Sequence, residues 1–283
     1  MAPSLTGHLA SEDGSVEQPA LELLQELGWS HANLLHEVPG PANPTGRTSF
    51  RQTHLPARLS EALAKLNPNL PPEALAQALE RLTEDRGAML RVAANRAVMA
   101  LLADGVAVEV RRDDGTFETV NVRVIDWIDP AANDFLVASQ VWIEGPLHKR
   151  RPDTIGFVNG LPLMVAEWKG LTQPLADAYD KNLRDYRDAI PALFDANGFV
   201  ILSNGLEAVM GASHAPYDVF APWKRLEEGG AESVSLETLL RGTCEPARFL
   251  DLIENYLLFE EGRGGLRKVV GKYHQVLGVN RAI

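Results

Sequence analysis

The sequence predicts an α/β protein, a mixed central sheet flanked by helices. The stretch from Arg151 to Lys169 reads as two apolar strands around Asn159-Gly160, the strongest short-range hairpin signal. Further strand-like runs at 105–110, 119–126, 134–142 and 199–203 are separated by segments with helical spacing of apolar residues. At 283 residues the chain is long enough to bury a full core, as one large domain or two small ones.

In chain order, residues 1 to 14 are polar and expected to fray. Ser15 to Gln18 resembles a capping box, with Ser15 as N-cap. Ala20, Leu23, Leu24 and Leu27 follow at helical spacing, and Gly28 is a fitting stop. Residues 30–55, rich in Pro and Gly, read as a loop with room for one strand. Leu59 to Leu66, Pro72 to Leu82 and Leu90 to Leu102 read as three helices, the first two split by an Asn-Pro turn. Strands at Gly105 to Val110 and Thr119 to Asp126 flank the turn Asp113-Asp114-Gly115, and Asp134 to Trp142 forms another. Leu175 to Phe194 is an amphipathic helix whose inner stripe runs through Leu175, Ala178, Tyr179, Asn182, Leu183, Tyr186 and Ile190. Phe199 to Ser203 is a buried strand that Glu207 to Met210 can pair with. Leu236 to Leu240, Arg248 to Glu260 and Lys268 to Ile283 read as helices.

Composition excludes several classes. Hydrophobic content of 45% is ordinary for a globular chain, and no apolar run approaches the length of a membrane span. The N-terminus lacks the layout of a signal peptide. A single cysteine, Cys244, rules out an internal disulfide framework and fits a reducing cytoplasm. The net charge of −11 argues against an autonomous nucleic-acid binder, although basic residues cluster at 148–151 and at Lys181, Arg184 and Arg187. No GxxxxGK[ST] loop is present, so ATP chemistry, if any, lies outside this chain.

The hairpin carries the chemistry. Asp153, Glu167 and Lys169 are charges on an otherwise apolar pair of strands, and a buried charge is costly unless it is paired or holds a metal. Glu167 and Lys169 are two apart, so they share a face, with Trp168 on the other. Two carboxylates and a lysine suit a hard divalent cation with the lysine beside it. One geometric problem stands against this. A strict two-residue turn pairs Val158 with Leu161 and sets Asp153 opposite Ala166, on the wrong face for Glu167. An irregularity is therefore expected between Arg151 and Glu167: a wider loop, a bulge, or a break at Pro152, the last being preferred.

Pro152-Asp153 and Glu167-Trp168-Lys169 resemble the signature of the PD-(D/E)xK nucleases. Val124 to Trp127, Asn133 to Phe135, Gln140, Arg151 to Asp153, Val158 to Leu163 and Glu167 to Lys169 resemble, in the same order, the N-terminus of type I restriction enzyme R subunits, from about Glu17 to the end of the chain. This resemblance implies a PD-(D/E)xK restriction-endonuclease-like sheet at 15–225, with a helical insertion at about 56–104 as scaffold. It further implies a helical linker at 226–283 leading to a helicase motor absent from this chain. It implies a Mg²⁺-dependent endonuclease acting on double-stranded DNA, beside methyltransferase and specificity subunits. Asp153 and Glu167 would hold the metal, with the Trp168 carbonyl and the helical Glu17, and Lys169 would orient or activate the water. Tyr186 and Asn182 match a family Gln-x-x-x-Tyr pair with a shortened first residue; with Arg150 and Arg151 they are candidates for DNA contact. Gln140 matches a family position without an assigned role. The alternatives are a freestanding repair nuclease of the same superfamily and a non-catalytic interaction module.

Overall fold

The structure, a computed structural model, describes residues 14–282. The expected frayed tail, apart from Gly14, lies outside the described residues.

Helix α1 (Gly14–Glu26) opens one residue before Ser15, so Ser15 lies in the first turn rather than capping it. Gly28, at φ 103°, ends the helix as expected. Strand β1 (Ser30–Asn33) follows, then the insertion of α2 (Pro56–Leu66), α3 (Pro72–Thr83) and α4 (Arg91–Asp104). Asn67, in the Asn-Pro turn, donates to Leu63 O and Arg123 O and accepts from Arg123 N–H, which ties the insertion to the following ribbon. That ribbon is β2 (Val106–Arg111) with β3 (Phe117–Val122).

The main sheet continues with β4 (Phe135–Ser139). A small ribbon, β5 (Ile143–Glu144) with β6 (Lys149–Arg150), follows and leads into the central hairpin of β7 (Thr154–Val158) and β8 (Leu161–Trp168). Residues 175–194 are helical throughout but do not form the single α-helix expected. They run as α5 (Leu175–Asp177), a π segment at Ala178–Leu183, α6 (Arg184–Ala189) and a 3₁₀ turn at Pro191–Phe194. Strands β9 (Phe199–Ser203) and β10 (Ala208–Gly211) complete the sheet. Its order is β1-β4-β7-β8-β9-β10, with parallel pairing at β1/β4 and β8/β9 and antiparallel pairing elsewhere.

The C-terminal segment departs from the expected helical extension. After α7 (Leu236–Thr243) and α8 (Pro246–Asn255) comes a hairpin, β11 (Leu257–Gly262) with β12 (Gly265–Val270), before α9 (Tyr273–Ala282). Alternating burial along Leu257 to Glu260 and the glycines at 262, 264 and 265 favour a two-stranded ribbon over a helix. Leu239, Leu240, Phe249 and Leu252 of this segment are buried in the same core as α1 and the sheet.

The sheet has a core on each face. One holds Trp29, Met164, Ala166, Trp168, Phe199 and Ile201 with α1, α7 and α8. The other holds Ile155, Val165, Val200 and Leu202 under Leu183, Tyr186 and Ile190 of the 175–194 helix. Among the described residues no helix is long and apolar enough to cross a membrane.

Candidate active site

The turn is built as its residues demand. Asn159 and Gly160 both have positive φ, 50° and 78°, as a type I′ turn requires, and Val158 pairs with Leu161. The buried Asn159 side chain donates to Val124 O and to Asn133 Oδ1 and accepts from the Asp134 N–H, so the turn is fastened to the preceding loop.

The expected irregularity is present. Thr154, Ile155 and Gly156 pair with Ala166, Val165 and Met164, but Phe157 pairs with Pro162, so Leu163 is an extra residue on β8. The break lies beside Pro162 and not at Pro152, where the sequence pattern favours it. Proline has no N–H for the ladder, so a bulge next to it costs no hydrogen bond. The Leu163 carbonyl is taken by the Gly198 N–H at 2.6 Å. Leu163 and Met164 consequently face the same core. The shift of one residue sets Asp153, just before β7, opposite Glu167.

The two carboxylates interlock. The Asp153 N–H donates to Glu167 Oε1 at 3.1 Å, and the Trp168 N–H donates to Asp153 Oδ2 at 3.0 Å. Glu167 is 0% exposed, and its Oε2 has no hydrogen-bond partner. Burial, and next the Asp153 charge, push the Glu167 carboxyl well above the ordinary carboxylate range; the Asp153 N–H and the Lys169 ammonium pull it less strongly the other way. Trp168 points to the opposite face, its indole N–H on Thr154 Oγ1 at 2.9 Å. The Trp168 N–H and carbonyl point to the same side of the strand, the side where Asp153 lies. Lys169 is half-buried at the end of β8, its N–H on Ser203 O, and makes no ion pair among the described residues.

A cation fits this pair: a wholly buried carboxylate with an orphaned oxygen, beside a second carboxylate, is stable as an anion only with a positive charge close by. Asp153 and Glu167 do not assemble with a third acidic or imidazole side chain into a ligand cluster among the described residues. Gln140 reaches Glu17, its amide Nε2 lying 3.1 and 3.2 Å from the two carboxylate oxygens.

Tyr186 is buried against the pair. Burial, and next the Glu167 charge, raise its hydroxyl pKa, so it stays a neutral O–H. That hydroxyl lies 3.5 Å from Arg151 O and from Asn182 Nδ2. Its burial makes Tyr186 part of the floor of the site, not an exposed surface for DNA. Arg150 is held bidentately by Asp185. Arg151 is exposed, its guanidinium 5.1 Å from the Trp142 ring, and the Lys149 ammonium lies 3.1 Å from the Phe50 ring centre. The second basic cluster is spent internally: Lys181 and Arg184 pair with Asp177 and Asp180, and Arg187 donates to Tyr179 Oη and Ala215 O. Asp134 pairs with Arg58 at 2.7 Å, away from the carboxylates. Sequence reasoning missed the clamp made by Gln140: it set the residue inside a strand over 134–142, whereas β4 ends at Ser139, and its match to a family position carried no role.

Residues 10–219 match the family described as type I restriction enzyme R protein N terminus. The chain is similar to the type I restriction enzyme HindI endonuclease subunit of Haemophilus influenzae, 34% identical over 96% of this chain and 26% of that protein. It is also similar, at 25% identity, to a protein of Methanocaldococcus jannaschii provisionally named type I restriction enzyme MjaIXP endonuclease subunit, over 96% of this chain and 27% of the relative. The chain thus spans about a quarter of the length of these relatives.

Proposed function

Because the chain belongs to the family of type I restriction enzyme R protein N-terminal regions, we propose that it is a PD-(D/E)xK nuclease domain that hydrolyses DNA phosphodiester bonds with Mg²⁺. The observation that carries this reading is the register shift that interlocks Asp153 with a buried, part-orphaned Glu167 at the end of an apolar hairpin.

Asp153 and Glu167 would hold the cation, with the Trp168 carbonyl. When bound, the cation supplies Lewis acidity and neutralises developing negative charge. The chain's own groups do the rest. The Trp168 N–H fixes one Asp153 oxygen, and the Asp153 N–H fixes one Glu167 oxygen, so both carboxylates are oriented before any ligand arrives. Lys169 shares the Glu167 face and offers three N–H donors to orient the attacking water or stabilise the transition state. The neutral Tyr186 hydroxyl closes the floor beside Glu167. Arg151 and Lys149, braced on Trp142 and Phe50, present positive charge beside Asp153 for the DNA backbone.

The names of the relatives support a role as the endonuclease portion of a longer subunit of a type I restriction enzyme. In this reading it works on double-stranded DNA beside methyltransferase and specificity subunits. ATP chemistry would belong to another part of that polypeptide. The test is nicking of supercoiled plasmid by the chain at high concentration, in Mg²⁺ and in EDTA, with Asp153→Asn beside it. Nicking in Mg²⁺ only, absent from the variant, is expected. Equal nicking in EDTA, or by the variant, would overturn the reading.

A further inference from the structure

Gln140 is one of two non-glycine residues with positive φ among those described, and the other is the turn residue Asn159. Its φ of 59° costs energy that no turn requirement explains, and such strain persists only where the surroundings hold it. Here they do. The Gln140 N–H donates to Asp153 O at 2.9 Å, adding one bond to the β4/β7 ladder beyond the Ser139–Thr154 pair. Gln140, Asp153 and Glu167 therefore stand side by side on three adjacent strands.

The side chain leaves that row. Along β4 the residues alternate between the two cores, Val137 on one side and Leu136 and Ala138 on the other, so a regular strand would turn Gln140 toward the core of Leu136. The left-handed backbone breaks the alternation, and the amide reaches Glu17 on α1, which packs on the opposite face. One residue thus grips Asp153 through its main chain and Glu17 through its side chain, across 123 residues of sequence.

The choice of an amide matters. Its N–H groups orient a carboxylate without cancelling its charge, whereas lysine or arginine would neutralise it. The amide thus aims the Glu17 carboxylate without pairing it with a positive charge. We infer that Gln140 is a positioning residue of the cation site: its strained backbone and its amide lock the Asp153 loop and the Glu17 carboxylate into one frame, with Glu17 serving the cation through a bound water. This rests on the metal-site reading above.

The test is calorimetric titration of the chain with Mn²⁺, with melting temperature in EDTA as a second readout, on Gln140→Leu, Gln140→Gly, Glu17→Gln, the double variant Gln140→Leu/Glu17→Gln, and Asp153→Asn. Gln140→Leu should weaken Mn²⁺ about tenfold, as loss of an outer-shell partner does. Gln140→Gly relieves the backbone strain, so its metal-free melting temperature should hold or rise while its Mn²⁺ affinity falls. Because the effect runs through Glu17, the double variant should be no weaker than Glu17→Gln. A structural role would instead lower melting temperature in both Gln140 variants and add in the double. If the Gln140 variants bind Mn²⁺ like the natural chain while Asp153→Asn does not, the inference fails and the metal site stands. If Asp153→Asn also binds normally, both fail.

Discussion

Glu167→Gln separates the cost of the site from its use. In the metal-free chain Glu167 is wholly buried, its Oε1 accepts from the Asp153 N–H, and its Oε2 has no hydrogen-bond partner. Glutamine keeps the Oε1 bond and replaces the orphaned oxygen by an uncharged N–H₂, which removes the repulsion with the Asp153 carboxylate. An unsatisfied buried polar atom costs about 1–3 kcal/mol, so the variant should be more stable by that amount in EDTA. For a chain of this size each kcal/mol corresponds to roughly 2–4 °C. The sign with pH follows from the raised carboxyl. A carboxyl whose folded pKa lies above its unfolded one stabilises the fold while protonated, and that contribution is lost as pH rises through the folded value. The natural chain should therefore lose stability as pH climbs above the ordinary carboxylate range, and Glu167→Gln should lose less. Mg²⁺ reverses the ranking. At a concentration 100 times its dissociation constant it should stabilise the natural chain by about 2.7 kcal/mol and leave the variant unchanged. Differential scanning calorimetry from pH 5 to 9, in EDTA and in Mg²⁺, reads all of this. A variant that melts below the natural chain in EDTA, or that gains as much from Mg²⁺, would refute the reasoning.

Lys169→Met should keep Mg²⁺ stabilisation yet abolish plasmid nicking, because an ammonium is no metal ligand; loss of metal binding equal to that of Asp153→Asn would show that the division of roles is wrong. Gly160→Ala should destabilise the chain by roughly 1–3 kcal/mol in urea unfolding, since φ is 78° and a Cβ would meet Leu55 O and Leu59 N at 2.7 Å; an unchanged midpoint would mean the turn is not held as described. Lys268 is buried and donates to Asn197 O, and burial lowers its pKa to about 7. Its charge is a penalty below that pH, relieved as pH rises from there toward the ordinary lysine value. Lys268→Met should therefore stabilise the chain most at pH 6, with the gain shrinking toward pH 10; a gain that grows with pH would contradict the burial argument.

Local pattern carried most of the fold. Period-2 and period-3.6 spacing gave the hairpin, α1 to α4, the β2/β3 ribbon and β9 with β10, because each buries one face through residues close in sequence. The same alternation put Glu167 and Lys169 on one face and Trp168 on the other. Local pattern also misled where it was ambiguous. Leu257 to Val270 joined helical readings on either side, although the glycines at 262, 264 and 265 already favoured the β11/β12 turn.

Sequence by itself determined that a regular two-residue hairpin would set Asp153 and Glu167 on opposite faces, so that bringing them together requires the ladder to slip by one residue. Only the tertiary structure decided where. Pro162 could not donate, and the Leu163 carbonyl found the Gly198 N–H on a neighbouring segment, a partner that spacing within the hairpin cannot reveal. The same reason hid Gln140: its partners Glu17 and Asp153 come from α1 and from the start of β7, and it is the packing of α1 on the sheet that brings them within reach of one side chain.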